Sequence, residues 1–335
     1  MNEQPAANQE LSDVDRIAVR SSLVDRRQRL GEVHRRGAAA VAGLLVAVDA
    51  ALDRLETGLY GACERCDGRV EPDRLLADPL ATVCLDCLSD AERDALQRDL
   101  ELASRVQATL LPPHDFGSTA WRGHYEYRPH GTVGGDYVDV ITPGGDDGDL
   151  IVLLGDVSGK GVAAAMLMSH LHAGMRALAT AGCSLGELLG RSNRLLYGAS
   201  APNLYATLAA LCLKPDGRAD IVTAGHPPVI VLGRDGARVI GTRGLPIGMF
   251  GEAAYQTATV QLAQGESLLL YTDGVSESLD SSGDELGVDR LAQEVARHAE
   301  RTPEEVVDAA VAIATRHRGT SSAHDDLTVA AVRRA

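Results

Sequence analysis

Leu150-Ile151-Val152-Leu153-Leu154-Gly155-Asp156-Val157-Ser158-Gly159-Lys160-Gly161 is five apolar residues, a glycine, and an aspartate that opens a glycine-rich turn. A short apolar run bounded by turn residues reads as a buried strand, here one that ends in a carboxylate. Leu268-Leu269-Leu270-Tyr271-Thr272-Asp273-Gly274 repeats the pattern. Two other strand-like runs begin with an acid: Gly134-Gly135-Asp136-Tyr137-Val138-Asp139-Val140, and His324-Asp325-Asp326-Leu327 continuing to Val332. In an antiparallel sheet the end of one strand lies beside the start of its neighbour, so Asp136, Asp156, Asp273 and Asp325 are predicted to line one edge. Four like charges repel unless cations neutralise them, and carboxylate oxygens are the ligands that hard divalent ions take. Mg²⁺ or Mn²⁺ is therefore implied. Any one aspartate at a turn is also ordinary, solvated turn chemistry; four of them at strand ends are what points to a metal centre.

The surrounding residues supply the rest of a sheet-rich domain. Strands are predicted at His124–Arg128, Tyr137–Ile141, Leu150–Leu154, Tyr205–Leu213, Asp220–Ala224, Val229–Leu232, Ser267–Tyr271 and Leu327–Val332. Helices are predicted at Val162–Thr180, Leu185–Tyr197, Val288–Ala299 and Glu304–His317, the last after the capping residue Thr302 and Pro303. Strands follow one another across short turns such as Arg234-Asp235-Gly236 instead of alternating with helices. That order favours antiparallel sheets with flanking helices, an α+β class.

Rival readings of the same glycines fail on spacing. Gly159-Lys160-Gly161-Val162-Ala163-Ala164 fits a dinucleotide fingerprint, yet no acid stands about 20 residues on, and Asp156 would face the pyrophosphate. A P-loop needs a wider glycine spacing and a Ser or Thr where Gly161 stands. Ser158 lacks a nucleophile elbow because Asp156 occupies the first glycine position. His170 and His172 are two apart on a helix, face different directions, and are expected at the surface.

Composition excludes other classes. The chain has 335 residues, 32 Lys and Arg against 47 Asp and Glu, a net charge of −15, and only one Trp, eight Tyr and two Phe. It lacks the basic stripe and stacking rings of a nucleic-acid binder. Met1–Ser12 has neither a basic start nor an apolar stretch, and the longest apolar run, Ala38–Val48, is too short for a bilayer. A cytoplasmic protein with no membrane association is expected.

Residues 1–57 read as a helical segment interrupted near Gly31–Gly37, residues 58–88 as a cysteine-rich module, and residues 89–112 as a helix opened by the capping box Ser89-Asp90-Ala91-Glu92 and stopped by Pro112-Pro113. Along that helix Leu96, Leu100, Ala103, Val106 or Gln107, and Leu110 step like a coiled-coil seam. This pattern suits equally a helix packed on its own domain and a parallel homodimer helix. Cys63, Cys66, Cys84 and Cys87 form two CxxC pairs, metal spacing in a reducing compartment, whereas Cys183 and Cys212 stand alone in apolar segments and are expected in the core.

Five motifs, Gly134–Asp139, Asp156–Gly161, Ala224-Gly225-His226-Pro227-Pro228, Tyr271–Val275 and Asp325–Thr328, resemble in order those of the SpoIIE/RsbU branch of PPM-type serine/threonine phosphatases. The resemblance runs from about Arg105 to Arg333 and includes a lead-in that ends Leu110-Leu111-Pro112. It implies an αββα sandwich of two antiparallel sheets over residues 113–335, with two Mn²⁺ or Mg²⁺ ions at one end. It also implies Asp136, Asp156, Asp273 and Asp325 as ligands, with Asp156 bridging and the Val157 carbonyl adding an oxygen. Lys160 is a candidate to hold the phosphate or assist the leaving oxygen, or is a solvated lysine. Asp139 occupies a common family position, and Pro227 stands where relatives often carry Asn. The implied reaction is hydrolysis of phosphoserine or phosphothreonine by a metal-activated water, and the implied substrate is a STAS-domain anti-anti-sigma factor in partner-switching signalling.

The CxxC-x17-CxxC segment, with Ala51–Cys66 and Arg74–Pro79 around it, resembles the DksA/TraR zinc finger, which implies one structural Zn²⁺ on Cys63, Cys66, Cys84 and Cys87. Relatives carrying this finger on a helical hairpin enter RNA polymerase. The alternative function is therefore a transcription-regulating interaction protein that works through the finger.

Overall fold

The computed structural model describes residues 11, 13–35, 42–66, 68–158, 161–180, 182–199, 205–320 and 325–335. These fall into two compact units, one within Met1–Leu100 and one of Glu101–Ser200 and Leu204–Ala335.

The smaller unit contains α1 (Asp13–Arg35), α2 (Ala42–Glu56), α3 (Pro72–Ala77) and the start of α4 (Asp90–Ala108). Its core gathers Val19, Leu23, Val48, Ala51, Tyr60, Val70 and Leu75 beside Cys63 and Cys84. In α2 apolar residues at helical spacing bury Val48 and leave Leu44, Leu45, Leu52 and Leu55 half-buried. The capping box of α4 forms as expected: Glu92 N–H donates to Ser89 Oγ at 3.3 Å, and Ser89 N–H donates back to Glu92 Oε2 at 2.8 Å. The helix stops before Leu111 because its last turn tightens, Leu110 N–H donating to the Gln107 carbonyl at 2.9 Å ahead of the two prolines. Along the seam Leu96 and Val106 are exposed, Leu100, Ala103 and Leu110 are half-buried, and Gln107 is buried.

The larger unit stacks two sheets. Its strands are β1 (Asp115–Gly117), β2 (Trp121–Arg128), β3 (Asp136–Ile141), β4 (Leu150–Val157), β5 (Ala206–Leu213), β6 (Arg218–Ala224), β7 (Val229–Gly233), β8 (Gly236–Ile240), β9 (Ala258–Gln261), β10 (Ser267–Tyr271) and β11 (Leu327–Arg334). One sheet runs β1-β2-β11-β10-β7-β8 and the other β3-β4-β5-β6-β9, with every pairing antiparallel. The helices are α5 (Gly161–Ala179), α6 (Leu185–Ala199), α7 (Asp273–Ser276), α8 (Val288–Val295) and α9 (Pro303–Arg318).

Alternation along each strand decides the layering. On β4, Leu150, Val152 and Leu154 enter the core between the sheets, while Ile151, Leu153 and Val157 pack on α5 and α6. On β10, Leu268 and Leu270 face inward, while Leu269 and Tyr271 meet α8 and α9. Strands buried on both faces read as unbroken apolar runs, which explains why these were visible in the sequence. The architecture is the expected αββα sandwich. The strands that sequence reading missed, β1, β8 and β9, all lie at sheet edges; they are three to five residues long and carry no two-sided apolar signal.

Candidate active site and candidate zinc site

The even-numbered, inward-facing positions that fill the interlayer core also carry the acids. Asp136 on β3 stands directly opposite Asp156 on β4, and Asp156 stands opposite Thr207 on β5. Val138 and Leu154, two residues along, belong to the core between the sheets, so both carboxylates share that face at its end. Across the sandwich, Thr272 and Thr328 share the inward parity of Leu270 and Ala330. Thr272 Oγ1 donates to Asp136 Oδ2 at 3.0 Å, and Thr328 Oγ1 makes a short hydrogen bond to the same oxygen. Asp136, 2% exposed, is thus held by one oxygen.

Asp273 and Asp325 reach this end from the opposite sheet. Both line a cavity of about 220 Å³ with Gly274, Glu277, Ser278 and Arg318. Their charges act on Asp156, whose carboxyl is pushed up to about 8 by burial first and then by Asp273, Asp325 and Asp326. Burial and the neighbouring Asp156 likewise raise Asp136 well above the usual carboxylate range. Among the described residues none of these four acids has a Lys, Arg or His within ion-pairing distance. Asp136 is buried, Asp156 and Asp273 are half-buried and Asp325 is exposed; carboxylates gathered with no ion-pairing cation among the described residues are a donor set suited to hard divalent ions. No three of these acids offer oxygens that all lie within 4.8 Å of one another.

The loop before Asp136 lies against Asp156. A Cβ on Gly135 would come within 2.9 Å of the Val157 carbonyl oxygen and 3.1 Å of Asp156 Oδ1, so only glycine permits this approach. Sequence reading missed what holds the loop. The carboxylate of Asp326 accepts from the N–H groups of His130 and Gly135, each at 2.6 Å, and of Asp136 at 3.4 Å. The parity of Asp326 with Thr328 was the available signal.

Other predicted residues go elsewhere. Asp139, three residues after Asp136, has the opposite parity and faces α5, where it is fully buried and bonded to Arg176 Nη2 at 2.6 Å, to Tyr137 Oη at 3.0 Å and to the Val140 N–H at 2.8 Å. His172 is not the surface residue expected from the sequence: its side chain is 13% exposed, and Nδ1 lies 3.4 Å from Asp139, because α5 turns that face onto β3. His170 is exposed. Lys160 lies outside the described residues. His226 is buried, with Nδ1 paired to Thr207 Oγ1 at 2.8 Å beside the carboxylates' strand.

In the smaller unit the four cysteine sulfurs lie within 4.8 Å of one another, the one such group among the described residues. Cys66 Sγ and Cys84 Sγ are 3.8 Å apart, about the edge of a tetrahedron with 2.3 Å Zn–S arms. Burial raises the Cys63 thiol, but N–H groups led by those of Cys84 and Arg65 outweigh it and bring it down, whereas burial raises Cys84 and the neighbouring thiols raise Cys87. The residues present fit a zinc ion. Cys183 and Cys212 are half-buried and pack against the core rather than within it.

Comparison with known proteins follows the same division. The family described as Stage II sporulation protein E (SpoIIE) matches residues 146–335, more than half of the chain, and the prokaryotic dksA/traR C4-type zinc finger matches residues 58–93. Protein IcfG of Synechocystis sp. is 25% identical over 273 residues, 72% of this chain and 42% of that protein. Phosphoserine phosphatase RsbP of Bacillus subtilis is 28% identical over 187 residues, 54% of this chain and 46% of that protein. The chain spans about half the length of these curated relatives. The SiaA-PP2C domain of Pseudomonas aeruginosa shares the fold at a TM-score of 0.63 and 20% identity, over 73% of this chain and 98% of that one.

Proposed function

The chain belongs to the SpoIIE family, and from that premise we propose that it is a metal-dependent protein phosphatase. Its substrate is phosphoserine or phosphothreonine on a STAS-domain anti-anti-sigma factor in a partner-switching pathway. The observation that carries this reading is the Asp136–Asp156 pair, set face to face across β3 and β4 with Asp273 and Asp325 reaching it from the opposite sheet. RsbP, whose name states phosphoserine phosphatase activity, supports the substrate class.

Asp136, Asp156, Asp273 and Asp325, with the Val157 carbonyl, would hold two Mn²⁺ or Mg²⁺ ions. When bound, such a pair supplies a water of lowered pKa and neutralises the phosphoryl oxygens. Thr272 and Thr328 fix one oxygen of Asp136, leaving the other free to ligate. Asp326 and Gly135 hold the approach between the two facing acids. The cavity beside Asp273 and Asp325 admits a side chain carrying the phosphate, with Arg318 on its wall. Cys63, Cys66, Cys84 and Cys87 would hold one Zn²⁺ as a structural ion, contributing folding energy on the order of 10 kcal/mol.

The test is phosphate release from p-nitrophenyl phosphate and from a phosphorylated STAS protein, with and without Mn²⁺. We expect Mn²⁺-dependent turnover by the intact chain, reduced at least a hundredfold by Asp156→Ala and by Asp273→Ala. Turnover that survives both substitutions would sink the proposal.

A further inference from the structure

The last turn of α9 carries three basic residues, Arg316, His317 and Arg318. The first two hold the helix to its neighbours. Arg316 Nη2 donates to Glu294 Oε2 at 3.0 Å, and the His317 ring meets the Asp284 carbonyl at 3.0 Å through Nε2 and Arg290 Nη1 at 3.1 Å through Nδ1. Arg318 is placed otherwise. It is half-buried on the wall of the cavity that takes in Asp273 and Asp325, and no carboxylate of the described residues lies within ion-pairing distance of it. The residue stands seven positions before Asp325 and outside all five sequence motifs.

Among the described residues lining this cavity Arg318 is the one cation, set against Asp273, Asp325, Glu277 and Glu285. The acids act on one another: burial raises the Glu277 carboxyl first, and Asp273, Glu285 and Asp325 raise it further. A phosphoryl group brings only acceptor oxygens, so it needs donors as well as positive charge. The nearby donors are engaged, Gly274 N–H with Asp273 Oδ1 at 3.0 Å and Ser278 Oγ with the Gly274 carbonyl at 2.7 Å. Arg318 is the lining side chain that offers N–H groups, and a planar guanidinium presents them as a fork that matches two phosphate oxygens.

We propose that Arg318 is a substrate-binding residue, whose guanidinium holds oxygens of the phosphoryl group in the cavity beside Asp273 and Asp325. This rests on the phosphatase reading given above. A guanidinium that only offsets the surrounding acids would act on metal binding and stability and be indifferent to phosphate. One that binds the phosphoryl group acts on phosphate and leaves the metal in place.

The experiment uses the full chain with Arg318→Met, which keeps an unbranched side chain without charge or donors, and Arg318→Lys, which keeps the charge without the fork. Inorganic phosphate is titrated calorimetrically into the Mn²⁺-loaded proteins. Mn²⁺ affinity from the electron paramagnetic resonance of free Mn²⁺, the melting of metal-free chain, and kcat and KM for p-nitrophenyl phosphate are read beside it. We expect Arg318→Met to bind phosphate at least about tenfold more weakly and to raise KM to match. Its Mn²⁺ affinity should be no weaker than that of the intact chain, with a cooperative melt, and Arg318→Lys should fall between the two in phosphate affinity. Wild-type phosphate affinity in either folded variant overturns the proposal. So does weakened Mn²⁺ binding or a lost cooperative melt in both, either of which makes Arg318 part of the scaffold around the acids. An intact chain that binds Mn²⁺ but neither binds phosphate nor turns over substrate would instead refute the phosphatase reading beneath it.

Discussion

His226 shows how one residue near the centre ties its chemistry to solution conditions. It is buried beside Thr207, the residue opposite Asp156. Burial pushes its pKa from 6.5 down to about 3, so between these values the unfolded chain takes up a proton that the folded chain refuses. The neutral imidazole's contribution is complete above about pH 6.5 and declines as pH falls toward 3, by on the order of 1 kcal/mol per pH unit. We expect the urea midpoint of metal-free His226→Gln to rise relative to that of the unsubstituted metal-free chain as pH falls from 7.5 to 5.5, a difference in which the raised carboxyls of Asp136 and Asp156, common to both, cancel. An unchanged difference between the two proteins across that range would show that His226 takes up its proton without unfolding. Asp326 acts through its geometry as well as its charge, gathering the backbone N–H groups of His130, Gly135 and Asp136.

Elements are joined by such polar contacts as much as by apolar packing. Arg176 of α5 bonds Asp139 of β3 through two nitrogens, and Asp139 is fully buried while the arginine side chain remains 47% exposed. Removing the cation strands a buried charge, which costs about 3 kcal/mol or more. Arg176→Met should therefore lower the urea midpoint sharply, and Asp139→Asn added to it should recover part of the loss. Additive losses in the double variant would contradict the pairing. The same strand shows what the sequence could reveal. The continuous apolar runs of β4, β10 and β11 announced strands buried on two faces, and the acids at their ends marked the candidate centre. The parity separating Asp136 from Asp139 was readable, but what lay on each face was not, because a partner such as Arg176 is 37 residues away in the chain. Gln107 was legible only as an ambiguous heptad position, since its partner is a backbone group that no side-chain pattern encodes. Edge strands β1, β8 and β9 stayed hidden for want of two-sided burial.

Across the molecule, the charge of −15 divides unevenly in its meaning. Most acids are solvated, but Asp136, Asp156, Asp273 and Asp325 are concentrated at one end of the larger unit's sandwich, where two divalent ions would bring their summed charge near zero. The CxxC spacing marked a cysteine-rich module over residues 58–88, whereas the cysteine-bearing unit of the structure takes in residues up to Leu100. The αββα layering came from family resemblance, because strand order does not state which sheet a helix covers. No described helix is long and apolar enough to cross a membrane. The most direct test of the carboxylate centre is a calorimetric titration of zinc-loaded chain with Mn²⁺, alongside the same titration of Asp156→Ala. We expect two Mn²⁺ ions per intact chain, and loss of that stoichiometry in the variant. Equal Mn²⁺ binding by both proteins, or none by the intact chain, would contradict a two-ion centre built on these aspartates.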